Sequence, residues 1–151
     1  MIRRYGESVQ RGQRYALRPG AYAVLHHAGD LLLTFQAEPV PEIQLPGGGI
    51  DPGEHPLQAL HREVFEETGW RIANPRRLGG FRRFTYMPEY DKWAEKLCHV
   101  YLARPVRSHG KPREAGHSAL WMPVATAARE LANSGDRAFV AALQFSLRSS
   151  T

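Results

Sequence analysis

Apolar residues in the first third of the chain fall into short runs bounded by turn-forming residues. Residues 21–25 and 31–35 are two such runs, and each has the length and composition of a strand. Residues 28–30, Ala-Gly-Asp, lie between them and predict the turn of a hairpin. Residues 1–19 are polar and rich in arginine, and they predict one edge strand around residues 15–17.

The apolar spacing becomes helical after residue 55. Before it, three prolines interrupt regular structure and leave only a short extended piece at residues 43–45. Pro56 suits the first position of a helix, and Gly69 suits a left-handed cap after its last turn, so we predict a helix over residues 56–68. Its core-facing residues recur at intervals of three and four: Leu57, Leu60 and Val64.

The second half of the chain combines further strands with closing helices. Strands are predicted at residues 78–86, 96–103 and 120–122, and the basic segment 104–116 predicts a loop. Helices are predicted from Pro123 onward and over residues 138–147. No repeat or linker divides the chain, so we expect a single domain over residues 1–151. Its class is α/β, with a mixed sheet covered by helices on both faces.

Composition narrows the setting of this domain. The 151 residues carry a formal net charge of +5, which suits anionic partners, although the arginines are scattered and argue against a nucleic-acid partner. Cys98 is the one cysteine, so an internal disulfide or a thiolate zinc cluster is excluded. No run approaches the roughly 20 apolar residues of a membrane span. We therefore expect a cytoplasmic protein without a signal peptide or a membrane partner.

Three glutamates of the predicted helix share one face. Glu63, Glu66 and Glu67 fall within a sector of roughly 100° beside the apolar stripe. Like charges at this spacing weaken a helix, and Arg62, which can pair with Glu66 or reach back to Glu54, does not neutralise all of them. A divalent cation would, and carboxylate oxygens favour Mg²⁺, Ca²⁺ or Mn²⁺ over zinc or copper.

The glycine-rich segment before this helix fits the same chemistry. Glycines at 47, 48 and 49 let the backbone approach a ligand closely, so that a carbonyl could join a metal site and amides could contact phosphate oxygens. A cation beside such a loop indicates phosphate-ester or pyrophosphate hydrolysis. The alternative interpretation is an exposed acidic helix face after a glycine turn.

The whole segment Gly48-x5-Glu54-x7-Arg62-Glu63-Val64-x-Glu66-Glu67-x-Gly69-Trp70 resembles the Nudix box. That box marks enzymes that hydrolyse a nucleoside diphosphate linked to another group. The resemblance implies the Nudix fold, an α/β/α sandwich with a mixed sheet, and a pyrophosphohydrolase that requires Mg²⁺, with Mn²⁺ as a substitute. Trp70 stands where a smaller aliphatic residue is usual, and His55 stands where Ser, Thr or Asp is the more typical cap.

Residue roles follow from the resemblance. It implies that cations are bound by the carboxylates of Glu63, Glu66 and Glu67 and by the backbone carbonyl of Gly47. Glu66 or Glu67 would also help to position the attacking water. Glu54 and Arg62 would brace the glycine loop against the helix.

The general base varies in this family and often comes from a loop outside the box. Glu114, in the predicted loop before Trp121, is our candidate, with Glu89 and Glu95 as rivals. Each of the three could equally be a solvated surface charge.

Candidate substrate contacts lie in the segment after the box, which interleaves aromatic and basic residues. Arg82 could hold phosphate and Phe84 could stack on a base, although a strand with alternating core and solvent faces fits equally well. Tyr86 lies at an offset from the box that resembles the dinucleoside polyphosphate hydrolases of the family. Tyr90 and Trp93 could form a flap over the substrate or simply cover the core edge. The histidines are interpreted as structural.

Several functions remain open at this point. The favoured one is a hydrolase acting on a small nucleotide or dinucleoside polyphosphate. The alternatives are a pyrophosphatase that removes unwanted nucleoside triphosphates, a non-catalytic nucleotide-sensing module, and hydrolysis of RNA 5′ ends, which rests only on the basic charge. The resemblance also leaves a homodimer open.

Overall fold

The computed structural model describes residues 2–149, with the side chains described up to residue 146. Within these residues, eight strands and three helices follow one another. They are β1 (Arg3–Gly6), β2 (Ala16–His27), β3 (Asp30–Gln36), β4 (Glu42–Gln44), β5 (Gly47–Gly49), α1 (Pro56–Thr68), β6 (Trp70–Met87), β7 (Lys92–Ser108), β8 (His117–Pro123), α2 (Val124–Glu130) and α3 (Ser134–Ser149).

The strands form the mixed sheet that the sequence predicts. The order is β1-β6-β7-β2-β3-β4, while β5 pairs with β2 and β8 pairs with β3. β1 runs parallel to β6, and β2 runs parallel to β7 from Ala16↔Ala94 to Leu25↔Ala103, whereas the other pairs are antiparallel. The edge strand of the first 19 residues is β1, and Ala16 and Leu17 of the segment predicted for that role begin β2, which lies between β7 and β3.

The hairpin of β6 and β7 is longer than the apolar runs predict. Pairing extends from Met87↔Lys92 at the turn to Trp70↔Ser108 at the base, with three register irregularities on the way. The prediction that residues 104–116 form a loop is therefore wrong for its first five residues. In this part of β7 Pro105 is buried while Arg104 and residues 106–108 are exposed, so pairing with β6, and not an alternating apolar pattern, extends the strand.

Two apolar layers cover the two faces of the sheet. On one face, Leu60 and Val64 of α1 pack against sheet residues such as Ala23 and Leu32. On the other face, α2 and α3 cover a second cluster: Val24, Leu31, Leu33, Leu45, Phe81, Cys98, Val100, Val124, Ala127, Leu131 and Val140. Since neighbouring strand residues point to opposite faces, the single sheet supplies both layers of an α/β/α sandwich.

Helix α1 begins and ends where the sequence predicts. His55 caps it, because its Nδ1 accepts the Leu57 N–H at 3.1 Å while its own N–H donates to Gln58 Oε1 at 3.0 Å. The imidazole thus fills the capping role that Ser, Thr or Asp more commonly has. Gly69 closes the helix with φ 78°, and a Cβ there would lie 2.2 Å from the Gly110 carbonyl oxygen. Glycine therefore allows both the left-handed cap and the close approach of the 109–116 loop.

Among residues 2–149, none of the helices combines the length and apolar character needed to cross a membrane.

Candidate functional site

Strand β5 brings the glycine segment onto the carboxylate face of α1. The Gly47 N–H donates to Glu67 Oε1 at 2.8 Å, and this bond is buried. Gly48 lies directly under the Glu63 carboxylate, because a Cβ at Gly48 would be 2.5 Å from Glu63 Cδ. A side chain at Gly48 would therefore push the glycine segment and the Glu63 carboxylate apart, and one at Gly47 would clash with Ala21 and Tyr22 of β2.

Arg62 joins the helix to the following loop. Its Nε and Nη2 each lie 2.9 Å from an oxygen of Glu54, and its Nη2 also donates to the Gly49 carbonyl at 3.1 Å. Its Nη1 donates to Glu63 Oε1 at 2.8 Å and lies 3.5 Å from Glu66 Oε2. The hydrogen bonds from Arg62 lower the pKa of Glu54 to about 2, so the Arg62–Glu54 pair stays ionised at neutral pH.

The loop after β7 delivers Glu114 to the same place. The backbone N–H groups of Arg113 and Glu114 both donate to the Glu66 carbonyl at 2.9 Å, near the end of α1. Side-chain oxygens of Glu63, Glu66 and Glu114 can then lie within 4.8 Å of one another. Glu67 and Glu114 form a second such group with a ring nitrogen of His117. Glu114, predicted as a base from a distant part of the sequence, thus belongs to both groups.

Glu67 is the most deeply buried of these carboxylates, at 6% exposed. Burial raises its pKa to about 9, and the nearby carboxylates of Glu114, Glu63 and Glu66 add to the rise, while the Gly47 N–H opposes it. Burial likewise raises the pKa of Glu63, against the effect of Arg62. The protein alone compensates the negative charge of these buried carboxylates poorly. A cation among them would favour their ionised forms.

His117 is a site residue that the sequence interpretation missed. Its Nδ1 lies 3.0 Å from Thr34 Oγ1 and 3.6 Å from Glu67 Oε2, and its Nε2 lies 3.8 Å from Glu114 Oε2. The available signal was its position three residues after Glu114. That spacing by itself is common, and only the pairing of β8 with β3 brings His117 beside Thr34.

A cavity of about 310 Å³ opens beside the carboxylates. Its rim carries Glu63, Glu67 and Glu114, and its wall continues past Tyr22 to the start of α3. Further along the wall lie two cations and a buried acid: Arg83, Lys96 and Asp136. Burial raises the pKa of Asp136 to about 7, with Arg83 opposing, and burial followed by Arg83 lowers the pKa of Lys96. The cavity therefore offers both donors and acceptors away from the carboxylates.

The three proposed substrate contacts of β6 do not line this cavity. Arg82 pairs with Glu95 at 3.3 Å, Phe84 packs its ring edge against Tyr15, and the hydroxyl of Tyr86 bonds to Asp91. Arg83 lines the cavity instead. The alternation of a strand accounts for this placement, since residues 82, 84 and 86 share the face opposite to residue 83.

The rival bases, Glu89 and Glu95, and the proposed flap residues, Tyr90 and Trp93, also differ in whether they line the cavity. Glu89 and Tyr90, in the β6–β7 turn, line the cavity, while Glu95 is occupied by Arg82. Trp93 instead packs against Tyr86, with ring centroids 5.3 Å apart. Of the two flap residues, only Tyr90 is placed to contact a bound molecule.

Comparison with known proteins adds the family context. A family model described as the NUDIX domain matches residues 16–143. A putative 8-oxo-dGTP diphosphatase of Bacillus subtilis is 34% identical over 70 residues, which are 46% of this chain and 47% of the relative. A CMP-5′-(N-acetyl-N-hydroxy-3-aminopropyl)phosphonate hydrolase of Streptomyces rubellomurinus is 32% identical over 137 residues, covering 86% of this chain and 62% of that protein.

Shorter and structural similarities agree with this context. An RNA pyrophosphohydrolase of Mesorhizobium japonicum is 68% identical over 31 residues, or 20% of this chain and 18% of the relative. This chain thus spans less than two thirds of the length of these three curated relatives. The mutator MutT protein of Bacillus halodurans superposes with a TM-score of 0.67 at 21% identity, covering 82% of this chain and 79% of that structure. That likeness establishes a shared fold.

Proposed function

The chain belongs to the Nudix hydrolase family, and on that premise we propose that it cleaves the pyrophosphate bond of a nucleoside diphosphate linked to another group, with Mg²⁺ as cofactor. The observation that carries this proposal is the convergence of Glu63, Glu66, Glu67 and Glu114 around one point, three of which line a cavity of about 310 Å³: Glu63, Glu67 and Glu114. Such a volume is within the usual range for small-ligand sites.

The donor set fits Mg²⁺. The group of Glu63, Glu66 and Glu114 supplies carboxylate oxygens alone, which are the ligands that hard cations prefer. The raised pKa of Glu67 points the same way, since a cation beside it would offset the cost of its burial. We propose that the carboxylates of Glu63, Glu66 and Glu67 and the Gly47 carbonyl hold the metal, with the Glu114 carboxylate beside them. Bound there, Mg²⁺ would neutralise charge that develops on the phosphates.

The chain's own residues supply positioning and proton transfer in the proposed reaction. Water attacks one phosphorus, the bond from that phosphorus to the bridging oxygen breaks, and the bridging oxygen leaves on the other phosphate. Glu114 accepts the proton of the attacking water, while Glu66 or Glu67 helps to orient it. Arg62 and Glu54 keep Glu63 and the glycine loop in register with the helix.

The cavity supports a nucleoside as one part of the substrate. Asp136 could accept from base N–H groups, and Arg83 or Lys96 could donate to base carbonyls. Tyr90 also lines this cavity and is exposed, so its ring could stack on a base, although Arg18 lies over it at 5.0 Å.

A substrate panel tests the proposal. The protein is incubated with nucleoside triphosphates, dinucleoside polyphosphates and nucleotide sugars, each with Mg²⁺, with Mn²⁺ or with a chelator. Products are separated by ion exchange, and hydrolysis in ¹⁸O-labelled water identifies the phosphorus that is attacked. We expect metal-dependent turnover of at least one member. Binding without turnover of any member would instead establish a nucleotide-sensing module.

A further inference from the structure

A second cavity, of about 660 Å³, adjoins the carboxylate cluster. Glu114 lines both cavities, so the two meet at the residues proposed to hold the metal. Three arginines line the second cavity: Arg62, Arg71 and Arg113. Its other lining residues, besides Glu114, are Phe65 and Glu66. The proposed reaction does not use Arg71 or Arg113.

These two arginines are held over one aromatic ring. Cζ of Arg71 lies 3.8 Å from the ring centroid of Phe65, and Cζ of Arg113 lies 4.7 Å from it. The backbone fixes Arg113 beside this ring, because Phe65 precedes Glu66 in α1 and the Arg113 N–H donates to the Glu66 carbonyl. A guanidinium attracted to a ring in this way keeps its N–H groups available for an anion.

Within the described part of the chain, the hydrogen-bonding capacity of this pair is unused. Among the described residues, neither the Arg71 nor the Arg113 side chain makes an ion pair or a hydrogen bond. Arg62 differs, since its donors are engaged by Glu54, Glu63 and Gly49. Both free guanidinium groups are exposed on the wall of a cavity that borders a candidate metal site.

We propose that Arg71 and Arg113 form a phosphate clamp, which binds a phosphate lying beyond the bond that is cleaved. This inference rests on the proposed function and extends it to a substrate class. If the nucleoside occupies the first cavity and the diphosphate lies at the carboxylates, the remainder of the substrate enters the second cavity. A remainder that carries one or more phosphates matches two guanidinium groups, and an uncharged sugar does not.

Binding of inorganic tripolyphosphate to the metal-free protein tests the clamp without turnover. Calorimetry in the presence of a chelator compares the wild type with Arg71→Gln, Arg113→Gln and the double variant. Arg76→Gln is the matched control, because Arg76 is equally exposed and lines neither cavity. We expect the affinity to fall roughly tenfold in each single variant and further in the double variant, with the control unchanged. Equal affinity in the double variant and the control would overturn the clamp.

Steady-state kinetics in Mg²⁺ distinguish the sources of such a phosphate. The substrates are a nucleoside triphosphate, a short 5′-triphosphorylated oligoribonucleotide and a nucleotide sugar. The clamp predicts a KM increase of roughly tenfold in the double variant for one or both triphosphates, and a change under about twofold for the nucleotide sugar. A rise for the nucleotide alone assigns a small substrate, and a rise for the oligonucleotide alone assigns an RNA end.

Two other outcomes have separate meanings. An equal KM rise for the nucleotide sugar would overturn the clamp, because a general loss of positive charge would explain it. If no member of the wider panel, including the dinucleoside polyphosphates, is hydrolysed, the proposed function fails, and the metal-free binding result still decides whether the clamp exists. Thermal unfolding of each variant, expected to match the wild type because both arginines are exposed, guards against loss of the fold.

Discussion

Gly48→Ala should disable the proposed metal site by displacing one side chain. The new Cβ would lie 2.5 Å from Glu63 Cδ and 2.6 Å from Glu63 Oε2, whereas ordinary van der Waals contact begins at 3.4 Å. The Glu63 carboxylate, which Arg62 holds at 2.8 Å, must therefore move by about 1 Å, and a misplacement of that size can lower a rate on the order of 100-fold. The backbone itself accepts alanine, since Gly48 does not have a positive φ.

Gly49→Ala provides the matched control for this prediction. It lies one residue further along the same strand, and a Cβ there would meet nothing within 4 Å. Both variants are assayed for kcat and KM over a Mg²⁺ titration, with thermal unfolding measured in parallel. We expect Gly49→Ala to behave as wild type, and Gly48→Ala to lose kcat and to need more Mg²⁺. If the two variants have the same kcat, the assignment of Glu63 to the metal site is refuted.

Three further predictions concern other parts of the site. Glu67→Gln should lower kcat by roughly two orders of magnitude or more while the fold is retained. The control, Glu130→Gln at an exposed position, should keep the wild-type kcat, and equal activities of the two variants would place the metal elsewhere. Arg62→Lys should reduce kcat about tenfold in the same assay although the charge is kept, because lysine cannot make the paired bonds to Glu54; an unchanged kcat would show that the brace is dispensable. Asp136 has a folded-state pKa of about 7, above its ordinary 3.8, so its contribution to stability is fully present below about pH 4 and is lost as the pH rises through about 7. The free energy of unfolding of Asp136→Asn, relative to wild type, should therefore rise by on the order of 4 kcal/mol from pH 4 to pH 8. Urea unfolding measures it at both pH values, and a difference between variant and wild type that stays constant would contradict the prediction.

Local features of the fold were predictable because short-range physics sets them. The bounds of α1 follow from Pro56 and Gly69, and both residues act within one helical turn of their own position. The hairpin turn at residues 28–29 was similarly predictable, because Gly29 and Asp30 are turn formers between two apolar runs, and Gly29 accepts the positive φ that it adopts there. The length of β6 and β7 was not, because residues 70–73 pair with residues 104–108 although neither segment has a continuous apolar run.

The contacts of β6 show why the predicted substrate residues do not line the cavity. A strand's period fixes that Arg82 and Arg83 face opposite ways, but it does not say which face carries the cavity. Packing of α2 and α3 decided this, since their side of the sheet holds Phe81, Cys98 and the cavity wall. Arg83 therefore lines the cavity, and Arg82 turns to Glu95.

The sequence by itself determined the chemistry proposed for this protein. Three carboxylates on one helical face, a glycine segment and Arg62 lie within 23 consecutive residues, so helical periodicity alone brings the carboxylates together. Only the tertiary structure decided what completes and surrounds that centre. Glu114 and His117 reach it because the 109–116 loop bonds to the end of α1 and β8 pairs with β3. The phosphate clamp likewise joins residues 71 and 113 over one ring, and no short-range rule relates positions so far apart in the chain.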